Sequence, residues 1–414
     1  SAGRWSAVLV ADRSMNIITR RNTQFAFLNV AHSFDHMFML IYTTVVLSLE
    51  SDPMFSGSYG TLLTLSVWSF VAFGLGSLPA GWLGDKWSKP GMMAVFLLGI
   101  GASAIATGFA QGPVGLALGL CSIGVFASIY HPVGIAMVAE WGGKRAGRAL
   151  GINGVFGNLG VSSAAIVAGV LIDLQGWRAA FIVPGALCML TGVAYVFFVR
   201  SEPAQGGEKR SASSHVRVSA RDVRMILGCM FVATICTGII FISTTVSMPK
   251  VLAERLGDLA PNATALGGWV FVVFMSASIA QVTVGYLLDR YHMKTIYLVV
   301  AALLSPALLA ATVASGFGMI GAAMLVMFLV FGLNPINDMV VARYAAAEWR
   351  ARIYAFKFLA SLGVASAAVP LVGILHDTTG GFYWVFMGMA GLAIIVGLAG
   401  LAMPVKREHL SAAE

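Results

Sequence analysis

Gly81-Trp82-Leu83-Gly84-Asp85-Lys86-Trp87-Ser88-Lys89-Pro90 stands where one long apolar run, Leu62 to Leu83, stops and the next, Met92 to Ala110, has not begun. About half a chain length later the pattern returns as Gly285-Tyr286-Leu287-Leu288-Asp289-Arg290-Tyr291, between apolar runs over 269–288 and 296–314. Both copies read Gly, aromatic, Leu, any residue, Asp, a base, aromatic. Recurrence at this distance implies duplication, and each copy fits a tight turn between two membrane helices. Gly81 and Gly285 let helices approach closely, Asp85 and Asp289 cap or pair across the turn, and Lys86 and Arg290 stay in water.

Working outward, the 414 residues are 58% hydrophobic and only 11% charged, with a mean hydropathy of +0.85. No soluble globular chain needs that much apolar surface. Spans of about 20 apolar residues recur throughout, over 23–49, 58–83, 91–110, 114–139, 149–172, 179–199, 225–249, 266–288, 294–314, 317–341, 353–375 and 382–404. The expected fold is therefore an all-α membrane protein of twelve transmembrane helices in two pseudo-symmetric six-helix bundles. Residues 22–199 form the first bundle and 225–404 the second, joined by the polar linker 200–224. Tails cover 1–21 and 405–414, and residues 1–14, ahead of the first Met, read as an appended stretch.

The net charge of +8 does not point to nucleic acid. With both termini inside, all but four of the 26 Lys and Arg residues fall on the inner side, the exceptions being Arg178, Lys250, Arg255 and Lys357. That is the positive-inside pattern of a bacterial inner-membrane protein with cytoplasmic termini. Cys121, Cys188, Cys229 and Cys236 all lie within spans and read as reduced small hydrophobes, without a disulfide framework. No phosphate-binding loop, nucleophile triad or cofactor motif is present, so an enzyme is not expected.

The turn motif resembles that of the major facilitator superfamily, whose loop between helices two and three carries Gly-x-x-x-Asp-Arg-x-Gly-Arg. Here Lys86, Ser88 and Lys89 replace its Arg, Gly and second Arg. The resemblance implies a monomeric secondary transporter that alternates between two access states. It also implies a central cavity lined by helices one, four, seven and ten, and a cytoplasmic latch at Asp85 and Asp289 with Arg148 and Arg352 as partners.

The densest intramembrane chemistry is in the first span. His32 and His36, four apart, share a helix face, and Asp35 sits beside them near mid-membrane. A carboxylate there costs several kcal/mol against lipid, so it must face protein or water. A helix contact is one reading; a proton-coupling and substrate site is the one preferred. Tyr130-His131-Pro132 lies about 12 Å from the end of span four, and Pro132 should loosen the helix there. Metal ligation by His32, Asp35, His36 and His131 is a further alternative, with no metal assigned.

Span five opens Gly151-Ile152-Asn153-Gly154, with small residues spaced for close packing; Asn153 and Asn158 are buried glue or substrate donors. In the second half Asn334, Asn337 and Gln281 are polar lining candidates. Asp338 and Lys357 each sit five residues, about 7.5 Å, inside an inner helix end. They can pair, or Lys357 can snorkel or hold an anionic substrate.

Together the His/Asp cluster, Tyr130-His131-Pro132 and the Gly/Asn-rich stretch 151–160 resemble the fosmidomycin-resistance branch of that superfamily. The resemblance implies proton-driven export of small, often anionic or drug-like solutes. Protons, a small-molecule substrate and the lipid bilayer are then the partners. An importer of small organic anions and a divalent-metal exporter are the alternatives.

Overall fold

A helix bonds all its backbone groups internally, and about 20 residues of it cross the hydrocarbon core. The computed structural model is built on that rule, as an all-α multi-pass membrane protein. It describes residues 2–200, 220–288, 290–344, 363 and 365–403, and gives no side chain for 2–18, 144, 220–224, 227, 338, 341–344 and 365.

Eleven described helices are long and apolar enough to cross a membrane. In the first half these are α1 (Thr19–Leu49), α2 (Tyr59–Lys86), α3 (Lys89–Gly108), α4 (Pro113–Gly142), α5 (Ala146–Gln175) and α6 (Trp177–Arg200). In the second they are α7 (Gly228–Arg255), α8 (Ala263–Leu288), α9 (Met293–Val313), α10 (Gly316–Asn337) and α12 (Tyr383–Ala402). Between α10 and α12 lies α11 (Ala368–Thr379), the described end of the span expected over 353–375. Short connections make the helices alternate, so Thr19, Lys86 and Arg200 share one end, the tail end. Glu50, Asp173 and Arg255 share the opposite, far end. Outer faces carry exposed Leu118, Leu190, Phe197 and Leu398, apolar rows that lipid covers.

Ser88, not Asp85, caps the turn between α2 and α3: its Oγ accepts from the Gly91 N–H at 3.0 Å, with Pro90 in the first turn. A cap must directly precede the first helical residue. Asp85 instead lies in the last turn of α2, exposed, with no bond among the described residues. Gly81 does permit a close approach, since a Cβ there would lie 3.2 Å from Pro132 of α4. Around Gly285 the described residues leave open space.

The duplication is visible in the packing. The pairs α1–α5, α2–α4 and α3–α6 of the first half recur as α7–α11, α8–α10 and α9–α12 in the second. The halves meet along α5–α8 and α2–α11, again copies of each other. Asp173, near the end of α5, accepts from the Thr264 N–H at 2.7 Å, the Thr264 hydroxyl at 2.6 Å and the Ala263 N–H at 3.3 Å. Asp377, near the end of α11, accepts from the Gly60 N–H at 3.1 Å and the Ser58 hydroxyl at 2.5 Å. Each half thus offers a carboxylate to the orphan N–H groups that open a helix of the other. Gly60 meets Gly373, and Gly169 meets Ala263, so closely that an added Cβ would strike the facing backbone.

An ion pair also crosses between the halves at the far end, and a histidine of the second half stands beside the Asp377 seam. Lys250 Nζ bonds both Glu50 oxygens at 2.8 Å. His376 bonds Glu254 Oε1 through Nε2 at 2.8 Å and Asp377 Oδ1 through Nδ1 at 3.1 Å. Its ring also packs on Tyr59. His376 lies just past the apolar stretch ending at 375. The hydrogen bond to Glu254 raises its pKa above the ordinary 6.5, against the lowering effect of burial. A raised histidine stabilises its own cluster with Glu254 and Asp377, which holds the seam carboxylate in place, fully below 6.5 and loses that contribution as pH rises through the raised value. Hydrogen exchange in 58–64 and 373–379 should therefore increase above neutral pH relative to a His376→Gln variant. Equal profiles in the two proteins would show that this histidine does not hold the seam.

Candidate functional site

Pro132 has no N–H for the helical ladder, and α4 responds with a π turn over Tyr130–Gly134. That places His131 against α1, where its Nε2 is 3.4 Å from Asp35 Oδ2. Asp35 is wholly buried, and neither of its oxygens makes a hydrogen bond among the described residues. Phe73 of α2 packs edge-on to His131. Asp35 is thus a buried carboxylate whose described polar neighbour is an imidazole.

His32 and His36 complete the cluster, with Nε2 atoms 3.1 Å apart. The His32 Nδ1 lies 2.8 Å from the Asn153 carbonyl oxygen, which can only accept, so Nδ1 carries the proton. In the neutral ring Nε2 is then an acceptor and His36 Nε2–H the donor. Tyr130 stacks on His32 with ring centroids 4.6 Å apart. Its hydroxyl donates to the Leu28 carbonyl at 2.8 Å. Asn153 Nδ2 donates to Asn29 Oδ1 at 2.9 Å and to the Tyr130 hydroxyl at 2.8 Å. Asn153 therefore ties α1, α4 and α5 together. Gly157 lies under the His32 ring, where a Cβ would come within 2.6 Å of it.

The other expected site residues scatter. Asn158 Nδ2 donates to Gln281 Oε1 at 2.9 Å across the two halves, which makes it part of the α5–α8 seam. Asn334 is half-buried on α10, and Asn337 is buried with its Oδ1 unbonded among the described residues. Lys86 and Arg148 are exposed at the tail end, and the Arg290 guanidinium lies 4.1 Å over the Tyr286 ring. Asp289, Arg352, Lys357 and the Asp338 side chain lie outside the described residues. Sequence reasoning missed Asn29 and the far-end set Asp173, Glu254, His376 and Asp377.

The fold matches that of a bacterial homolog of the human lysosomal transporter Spinster, in an inward-facing and occupied conformation. The TM-score is 0.72 at 13% identity, covering 92% of this chain and 96% of that one. The multidrug resistance protein MdtG of Proteus mirabilis is 22% identical over 334 residues, 78% of this chain and 82% of its own length. A probable sulfoacetate transporter, SauU, of Cupriavidus necator is 29% identical over 147 residues, 35% of this chain and 32% of its own. These relatives are transporters, not enzymes. The sequence profile of the Major Facilitator Superfamily matches residues 25–356, and the chain belongs to that family.

Proposed function

We propose that the protein is a proton-coupled secondary transporter that exports small organic solutes, drug-like or anionic, across a bacterial inner membrane by alternating access. The observation that carries this reading is Asp35, fully buried and unbonded except for its approach to His131. Such a pair is neutral with one proton and anionic without it, and each form favours a different access state. Opening to the far side would load the proton and opening to the tail side would release it. One charge crossing 100 mV supplies about 2.3 kcal/mol, roughly fifty-fold in concentration.

A cytoplasmic position for the basic tail end, which the charge asymmetry supports, fits this direction. The closed far-end seam supports an inward-access state, in which the latch at Gly81, Asp85, Lys86, Arg148, Gly285, Asp289, Arg290 and Arg352 is released. Asn334, Asn337, Asp338 and Lys357 supply polar groups for solute from the second half. The relatives' names, multidrug and sulfoacetate, support the solute class.

The test is transport in proteoliposomes under an imposed pH gradient, with a fluorescent drug, sulfoacetate and a hexose phosphate as probes. Solute movement against the proton flow is expected. Co-movement with protons would make the protein an importer of organic anions, and indifference to the gradient would overturn the coupling.

A further inference from the structure

We propose that His32, His36 and His131 together bind one divalent d-block cation of the zinc, cobalt or copper type. The inference goes beyond the transport reading and does not depend on it. One nitrogen from each ring lies within 4.8 Å of the others. His32 and His36 already hold their Nε2 atoms 3.1 Å apart. Two ligands on a tetrahedral cation with metal–nitrogen bonds of about 2.0–2.1 Å are separated by about 3.3 Å. Two of the three ligands therefore stand at chelating distance, and the third needs a shift of an ångström or so.

The surroundings are those a ligating imidazole requires. A metal-bound histidine gives its other N–H to a carbonyl or carboxylate, which fixes the ring and raises its basicity. His32 does this with the Asn153 carbonyl, leaving the Nε2 lone pair for the cation. His131 has Asp35 at 3.4 Å. Asn153 is itself held by Asn29 and Tyr130, so the His32 ring is positioned ahead of binding. His36 donates from Nε2 to His32, and binding moves that proton to Nδ1, a change of tautomer without net proton loss.

An all-imidazole set selects late first-row ions over calcium or magnesium, which take oxygen ligands. Three protein ligands leave a fourth position open, and the Asp35 carboxylate offsets part of the cation's charge in an apolar wall. His36 and His131 are partly exposed, which gives the ion a route in.

The experiment uses the full chain purified in detergent, with Co²⁺ absorption and Zn²⁺ competition calorimetry as readouts. One ion per chain is expected, with the strong visible bands of tetrahedral cobalt. His36→Ala and His131→Ala should each weaken binding at least tenfold. His292→Ala, at an exposed tail-end histidine, should bind as the parent does. Should an alanine variant not fold, His36→Gln and His131→Gln serve the same comparison. No stoichiometric binding at about 100 μM cation, or binding undiminished in both cluster variants, would overturn the proposal. Neither gradient nor solute enters the measurement, so its failure leaves the proton reading standing, and the reverse also holds.

Discussion

Asp35→Asn should leave the protein able to exchange solute across a membrane yet unable to concentrate it. Asn keeps the size of the carboxyl group and leaves a polar oxygen beside His131, so the α1–α4 packing should survive. It cannot ionise, so the cycle loses the proton whose passage over 100 mV is worth about 2.3 kcal/mol. Accumulation driven by a proton gradient equivalent to 100 mV, about 1.7 pH units, should fall by roughly fifty-fold, to unity, while counterflow with solute on both sides continues. A variant that still concentrates solute would remove Asp35 from the coupling step.

The second large effect is expected at the far end. Asp173→Ala and Asp377→Ala each remove a carboxylate from a helix start in the other half. Losing such a cap costs about 0.5–2 kcal/mol. The two sites lie on separate seams, so the double variant should lose roughly the sum. At about 1.4 kcal/mol per tenfold, the closed-to-open ratio should fall between about five-fold and a thousand-fold. A cysteine at Ala165, which faces Gly267 across the α5–α8 seam, reports the change once the four native cysteines are replaced. Its labelling by an impermeant maleimide from the far side should rise in each single variant and most in the double. Unchanged labelling would mean that apolar packing alone holds the seam.

Much of the fold was legible because lipid imposes long apolar runs and the duplication writes the pattern twice. The turn at Trp87 was legible in place but not in chemistry: capping depends on where the helix begins, and Ser88 rather than Asp85 occupies that position. In the cluster, His32, Asp35 and His36 could be joined by helical spacing alone. Their meeting with His131 depends on the π turn at Pro132, which spacing suggests only as a loosening. The Asn153 hub rests on a backbone carbonyl, and sequence does not advertise carbonyls. The far-end seam did leave a signal: Gly169-x-Leu-x-Asp173-x-x-Gly176 and Gly373-x-Leu-x-Asp377-x-x-Gly380 are the same phrase at matching repeat positions. Its meaning needed the helix starts at Ser58 and Asn262 to be brought alongside.

The reciprocal capping by Asp173 and Asp377 has the form of an isologous interface, in which one patch meets its own image about a two-fold axis. A six-helix half with this patch could have closed on a second copy of itself, and fusion into one chain preserved both contacts. Fusion also released the copies to diverge. Where His376 stands beside Asp377, Ile172 stands beside Asp173. The two-fold relation holds for the carboxylates and fails for the ionisable ring next to them. Both carboxylates can take up a proton in acid, but only the Asp377 seam has a histidine beside it, so the two sides of the closure should respond differently to pH near neutrality.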